Sequence, residues 1–215
     1  MDAVIIAGGK GQRMESSIPK ALVMVGGKPL VAYQINYLLK SGIKKIILAL
    51  GFEAEQVVKY IKKNYPAAPI DYTVEKELLG TAGGLKLALQ KSDSDYVVVL
   101  NCDDLTDIDI SRLQENKQNT LCVARMHLQF GVIKEKNGYA AFEEKPMLND
   151  WVSCGWYLFD RAEILKYLPD KGMLEYDVFP KIKLRLFKHE GFWRTVNTRK
   201  DIIELEKVEL SDVLK

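Results

Sequence analysis

Three stretches, far apart in the chain, hold residue types suited to gripping and transferring phosphate. The first is Gly8-Gly9-Lys10-Gly11-Gln12-Arg13-Met14, followed by Pro19-Lys20. Glycines let backbone N–H groups approach a polyphosphate closely, and Arg13 and Lys20 supply positive charge. The second is Asn101-Cys102-Asp103-Asp104, where an acid can hold a hard cation such as Mg²⁺ while waters and phosphate oxygens fill its remaining positions. The third pairs Glu75 with Leu79-Gly80-Thr81-Ala82-Gly83-Gly84. Small residues opening a helix let a flat ring lie against backbone, and a carboxylate accepts from ring N–H groups. Guanine offers two adjacent donors and uracil or thymine one, so Glu75 suits guanine somewhat better. Each stretch also has a plainer reading: a Gly-rich turn, a capped turn and a solvated glutamate.

Two common phosphate motifs are excluded. A dinucleotide fingerprint starting at Gly9 needs glycine where the chain has Met14, and Gly27-Lys28 is followed by Pro29 where a Walker A loop needs Ser or Thr. His127 and His189 have no partner at metal or catalytic spacing. No Ser-His-Asp or Cys-His arrangement points to nucleophilic catalysis.

Regular elements must position these stretches. Residues 3–7, 45–50 and 96–100 read as buried strands and 70–74 as a further short strand, alternating with helices over 29–40, 53–64 and 80–91. Crossovers of that length imply an α/β fold, a three-layer doubly wound sheet, mostly parallel, with ligands beyond the carboxyl ends of its strands. All three stretches fall at that edge. Further on, 130–133 and 139–142 flank Asn137-Gly138, a hairpin signal, and Glu144-Lys145-Pro146 follows. A strand over 152–159, short helices over 161–168 and 174–182, a strand near 184–187 and a final helix capped by Thr198 with Asp201 complete the pattern. The expectation is a single domain over 1–215. Residues 1–125 would form a nucleotide-binding part and 126–215 a small antiparallel sugar-phosphate-binding part.

Composition limits the function classes. The 31 basic and 29 acidic residues nearly cancel, so no basic face for nucleic acid is indicated. No apolar run approaches the ~20 residues that span a bilayer, and the first residues enter a strand without a signal-peptide pattern. Cys102, Cys122 and Cys154 are too widely spaced for a zinc site or disulfide framework, which predicts reduced thiols and a cytoplasmic protein.

The order A-G-G-x-G-x-R-M, P-K, G-G-K-P-L, L-G-T-A-G-G-L, L-N-C-D-D-L-T-D-I-D-I, E-K-P, C-G-W-Y-L-F and D-V-F-P-K resembles the sugar-1-phosphate nucleotidyltransferases from residue 3 to about 205. The resemblance implies transfer of a nucleotidyl group from a nucleoside triphosphate to a sugar 1-phosphate, with Mg²⁺, giving an NDP-sugar and pyrophosphate. By matching position it implies that Ala7, Gly8, Gly9 and Gly11 wrap the nucleotide. Arg13 would hold the leaving pyrophosphate and Lys20 the α-phosphate, while Glu75, Gly80 and Thr81 fall where the base is read. Asp103 matches the metal aspartate, and Glu144, Lys145, Ser153 and Gly155 match sugar and sugar-phosphate contacts. Three positions depart from the family pattern: Cys102 replaces a glycine, Ser153 an asparagine, and Asn197 or Thr195 a second metal carboxylate. Asn197 then offers the metal an amide oxygen. Glu75 and the glycine run favour GTP or dTTP, whereas Gly191-Phe192-Trp193 resembles cytidylyltransferases. The expected partners are these small molecules, without nucleic acid or membrane, and a homo-oligomer is compatible with them. Transfer to another phospho-alcohol such as phosphocholine, and a non-catalytic binding subunit, are the alternatives. The long β-helix tail of some relatives is not expected.

Overall fold

A computed structural model describes residues 1–9, 18–208 and 210. Gly11 and Arg13 lie outside the described residues. In chain order the elements are β1 (Asp2–Ala7), β2 (Met24–Val25), β3 (Lys28–Pro29), α1 (Leu30–Lys40), β4 (Lys45–Leu50), α2 (Ala54–Asn64), β5 (Ile70–Val74), α3 (Gly80–Leu89), β6 (Tyr96–Asn101) and β7 (Asp104–Thr106). They continue with α4 (Ile110–Gln114), β8 (Thr120–Ala124), β9 (Val132–Lys136), β10 (Tyr139–Glu143), β11 (Val152–Asp160), α5 (Arg161–Ile164), β12 (Arg185–His189), β13 (Trp193–Thr195) and α6 (Arg199–Leu205).

A seven-stranded sheet in the order β12-β8-β11-β6-β1-β4-β5 forms the centre. Neighbours β6, β1, β4 and β5 run parallel, as do β12 and β8, while β11 runs antiparallel to both β6 and β8. Buried strand side chains point alternately to two cores, because successive residues of a strand face opposite ways. Ile5, Leu48, Val98 and Leu100 pack with Ile35 and Leu38 of α1 and Val57 of α2. Val4, Ile47, Val97 and Val99 pack with Leu85 and Leu89 of α3 and with Leu174. Both faces are therefore covered, as the continuous apolar runs require.

The second half, expected as an antiparallel addition to the same domain, also supplies strands to the main sheet. Strands β8, β11 and β12 all join the central sheet, β13 pairs antiparallel with β7 outside it, and the β9–β10 hairpin forms a further antiparallel pair. Its turn is Asn137-Gly138, with φ of +53° and +80°, the left-handed pair that a two-residue hairpin needs. The expected helix over 161–168 is regular only as far as Ile164. The one expected over 174–182 is a π-helical turn, Leu174–Val178, followed by a 3-10 turn, Phe179–Lys181. Pro180 cannot donate an amide N–H, which breaks the continuous ladder. Among the described residues no helix is long and apolar enough to cross a membrane.

Candidate active site

The chain re-enters at Ile18 and Pro19 and makes a single 3-10 turn, Lys20–Leu22, whose Ala21 is fully buried. Leu22 N donates to Pro19 O at 2.8 Å and Val23 N to Lys20 O at 3.1 Å, fixing the backbone under Lys20. The Lys20 ammonium forms an ion pair with Asp103 Oδ2 and donates to Asn197 Oδ1 at 2.9 Å. These three residues come from the loop after β1, the turn after β6 and the segment after β13. Their side chains meet because β7 and β13 pair, Thr195 opposite Asp104, and because Val196 N donates to Asp103 O at 2.9 Å.

Asn197 is itself oriented. Its Nδ2 donates to Thr195 Oγ1 at 3.0 Å, which leaves Oδ1 towards Lys20, and its backbone N donates to Asp201 Oδ2 at 2.9 Å. Thr198 and Asp201 form the expected reciprocal cap of α6, so the helix start holds the amide in place.

Asp103 and Asp104, neighbours of identical type, are separated by burial. Asp103 stands at the rim, its side chain 20 % exposed, and faces Lys20. Asp104 is turned inward, accepting from Trp193 Nε1 at 3.1 Å and Asn101 Nδ2 at 3.2 Å. Burial pushes its carboxyl up to about 7, the Asp103 charge adds to this, and the donors from Asn101 and Trp193 oppose it. Its backbone carbonyl accepts from Gln34 Nε2 and Trp156 Nε1, at 3.2 and 3.1 Å. Gly155 sits directly against this carboxylate. With φ of +71° it occupies the left-handed region, and a Cβ there would overlap Asp104 Oδ2. Burial also raises the Cys102 thiol far above its ordinary range, which makes it an inert packing group.

The part of the edge expected to take the nucleotide is built around Glu75. Its Oε2 accepts from Leu79 N at 3.0 Å, and its Oε1 lies 3.0 Å from where a Cβ on Gly8 would stand. A Cβ on Gly51 would overlap the same oxygen. The glycines at 8 and 51 thus let a carboxylate nest against the loop after β1. Ala7 is buried at the end of β1, and Gly9 is exposed beyond it. Gly80 opens α3 with φ of +74°, and a Cβ there would meet the carbonyl of Gly172. Thr81 Oγ1 accepts from Leu174 N at 2.9 Å and lies 3.4 Å from Glu175 Oε2. Gly80 and Thr81 therefore carry the 172–175 segment as well as lining the mouth of α3.

The sugar-phosphate candidates divide. Ser153 lies at the start of β11, where Gly155 N reaches its Oγ at 3.4 Å, beside the Asp104 cradle. Glu144 and Lys145 follow the hairpin, pair with each other at 3.7 Å, and are half exposed. Lys145 holds φ of +42°, and its carbonyl accepts from His127 Nδ1 at 2.9 Å. The other histidine, His189, is buried, with Nε2 2.9 Å from Asp107 and 3.0 Å from Phe192 O, and secures the approach to β13. Asn101 and Asp104, quoted with the second stretch, turn out to be framework residues, and Trp156 and Trp193 are supporting residues to which motif reading gave no role. Trp193 lay within the Gly-Phe-Trp signal, but nothing local assigned its indole to a carboxylate 89 residues away.

Among the described residues no group of three or more His, Cys, Asp or Glu side chains converges as a metal cage. The Asp103–Asn197 oxygen pair, already gathered around an ammonium, fits a hard cation that takes its other ligands from water and phosphate.

The model of the nucleotidyl transferase family matches residues 2–207. The chain is 31 % identical over 228 residues to the mannose-1-phosphate guanyltransferase of Emericella nidulans, covering 94 % of this chain and 62 % of that relative. It therefore spans about three fifths of that protein's length. It is also 31 % identical over 194 residues, 84 % of each chain, to the D-glycero-alpha-D-manno-heptose 1-phosphate guanylyltransferase of Aneurinibacillus thermoaerophilus. The solved structure of HddC from Yersinia pseudotuberculosis complexed with GMP-PN superimposes with a TM-score of 0.78 at 25 % identity, covering 96 % of this chain and 98 % of that one. By fold, motif order and matched length, the chain belongs to the nucleotidyl transferase family.

Proposed function

We propose that this chain transfers a guanylyl group from GTP to a manno-configured sugar 1-phosphate, releasing pyrophosphate. The observation that carries the reading is the meeting of Lys20, Asp103 and Asn197 at the carboxyl edge of β1 and β6, with Glu75 nested beside Gly8. Relatives named for mannose 1-phosphate and manno-heptose 1-phosphate, and a neighbour bound to GMP-PN, support the base and the sugar. Glu75 accepts from the two adjacent N–H groups of guanine.

An oxygen of the sugar phosphate attacks the α-phosphorus, the α–β bridging P–O bond breaks, and its electron pair leaves with pyrophosphate. The attacking oxygen is already an anion, so no general base is required. The barrier is repulsion between anions, and Lys20 offsets it at the α-phosphate while holding the two phosphates for in-line attack. Mg²⁺, held by the Asp103 carboxylate and the Asn197 amide oxygen, would add charge neutralisation on the phosphates. Ser153, Glu144 and Lys145 face the sugar and its phosphate. Buried thiols at Cys102, Cys122 and Cys154 support a reducing compartment, the cytoplasm, as the place of reaction.

The test is pyrophosphate release with Mg²⁺ for GTP, dTTP, CTP, UTP and ATP, each against mannose, glucose and manno-heptose 1-phosphates. Release is expected with GTP and a manno sugar. Release with a different nucleotide alone overturns the base assignment, and none from any pair favours a binding subunit.

A further inference from the structure

Lys20 occupies the place where a metal's protein ligands gather. Its ammonium contacts both Asp103 Oδ2 and Asn197 Oδ1, and its side chain is only 15 % exposed. With one carboxylate, one amide and one ammonium, the cluster is formally neutral. Asp104 is buried and turned inward, its two carboxylate oxygens on the Trp193 and Asn101 donors, away from the rim where Lys20 meets Asp103. A dication arriving alone meets a carboxylate that is already paired, and a neutral site attracts it weakly. A triphosphate changes this balance: it offers Lys20 stronger anionic partners and brings further oxygen ligands.

We propose that Lys20 is the resident counter-ion of the Asp103–Asn197 oxygen pair and leaves it only for the phosphates of an incoming nucleotide. The free protein therefore excludes divalent cations, and the metal enters as part of the metal–triphosphate complex. The backbone under Lys20 is fixed by the buried Ala21 and the bonds of the 3-10 turn, so the exchange is a rotation of the lysine stem. Asn197 belongs to the same device, since an aspartate there would leave the cluster with a net negative charge even with Lys20 in place. The identity of what displaces Lys20 rests on the nucleotidyl-transfer reading; the lysine contact does not.

The experiment is Mn²⁺ binding to the full chain, followed by the electron paramagnetic resonance signal of free Mn²⁺, with and without a non-hydrolysable GTP analogue. Without nucleotide, Lys20→Met and Asn197→Asp are each expected to bind Mn²⁺ at least about tenfold more tightly than the unmodified chain, the order expected for one unit of charge a few ångströms away. Adding Asp103→Asn to either variant removes the gain. The analogue is expected to tighten Mn²⁺ binding by more than about tenfold in the unmodified chain and by less in the variants. Equal Mn²⁺ affinity of the unmodified chain and the folded Lys20→Met variant overturns the proposal. Thermal melting checks folding, and should Lys20→Met fail to fold, Lys20→Gln, which keeps a polar stem and removes the charge, decides in its place. If no nucleotide is turned over, the Mn²⁺ gain in the variants still reads the counter-ion, so the two failures are distinguishable.

Discussion

Two small antiparallel pairs flank the site, and they are held in opposite ways. In β7–β13, Leu105, Thr106 and Asp104 are buried, and Trp193 drives its indole N–H into a buried carboxylate. In β9–β10, nearly every residue is exposed, including Phe142 and Tyr139. Asp103 immediately precedes the first pair, which leads into Asn197, while the second leads into Glu144 and Lys145. Two strands alone are marginal in water, so β7–β13 is rigid only through what it packs against. The contrast teaches that Lys20, Asp103 and Asn197 are held against one another by packed chain, whereas Glu144 and Lys145 stand on exposed chain. Preorganised charge is the larger lever on rate, because it costs no rearrangement in the transition state.

Four substitutions test this contrast, from the largest expected effect to the smallest. Asp103→Ala should lower kcat by about 10³-fold while the melting temperature stays close to that of the unmodified chain. Steady-state pyrophosphate release and thermal melting read the two, and a kcat within tenfold would break the contrast at its strong end. Gly155→Ala forces a side chain into Asp104 at a left-handed φ, and should cost about 3 kcal/mol in urea denaturation. Trp193→Phe leaves Asp104 without its indole donor, and should cost about 1–3 kcal/mol. Lys145→Ala should raise the KM for sugar 1-phosphate about tenfold, leave kcat within about twofold, and shift stability by less than about 0.5 kcal/mol. A large loss of stability there would show the exposed stretch to be structural.

The same contrast marks what was legible in the sequence. Strands β1, β4 and β6 were readable as short apolar runs, because a strand buried on both faces must be apolar throughout. Asn137-Gly138 and Thr198 were readable because turn and cap chemistry is local. Strand β8 passed unnoticed: Thr120-Leu121-Cys122-Val123-Ala124 alternates too weakly for periodicity to separate a strand from a loop. The pairs β7 and β13 are three residues each and exist only through pairing across the chain. Motif resemblance named Lys20, Asp103 and Asn197, but nothing in it brings the lysine onto both oxygens. Asp103 and Asp104 carry the same group, and only burial gives one to the rim and the other to the frame.

The reversed direction of β11 bears on the order in which the protein is made. Running antiparallel between β6 and β8, it places its first residues at the same edge as the last residues of β1 and β6. Residues from the beginning, middle and end of the chain therefore share one rim, and Lys20 waits for a partner 177 positions later. Contacts of such long range form late, after the loop between them has closed. On the ribosome the β1–β6 region is synthesised while the clamp still lacks Asn197. The growing chain thus presents β1, β4, β5 and β6 well before it can bring Asn197 to Lys20.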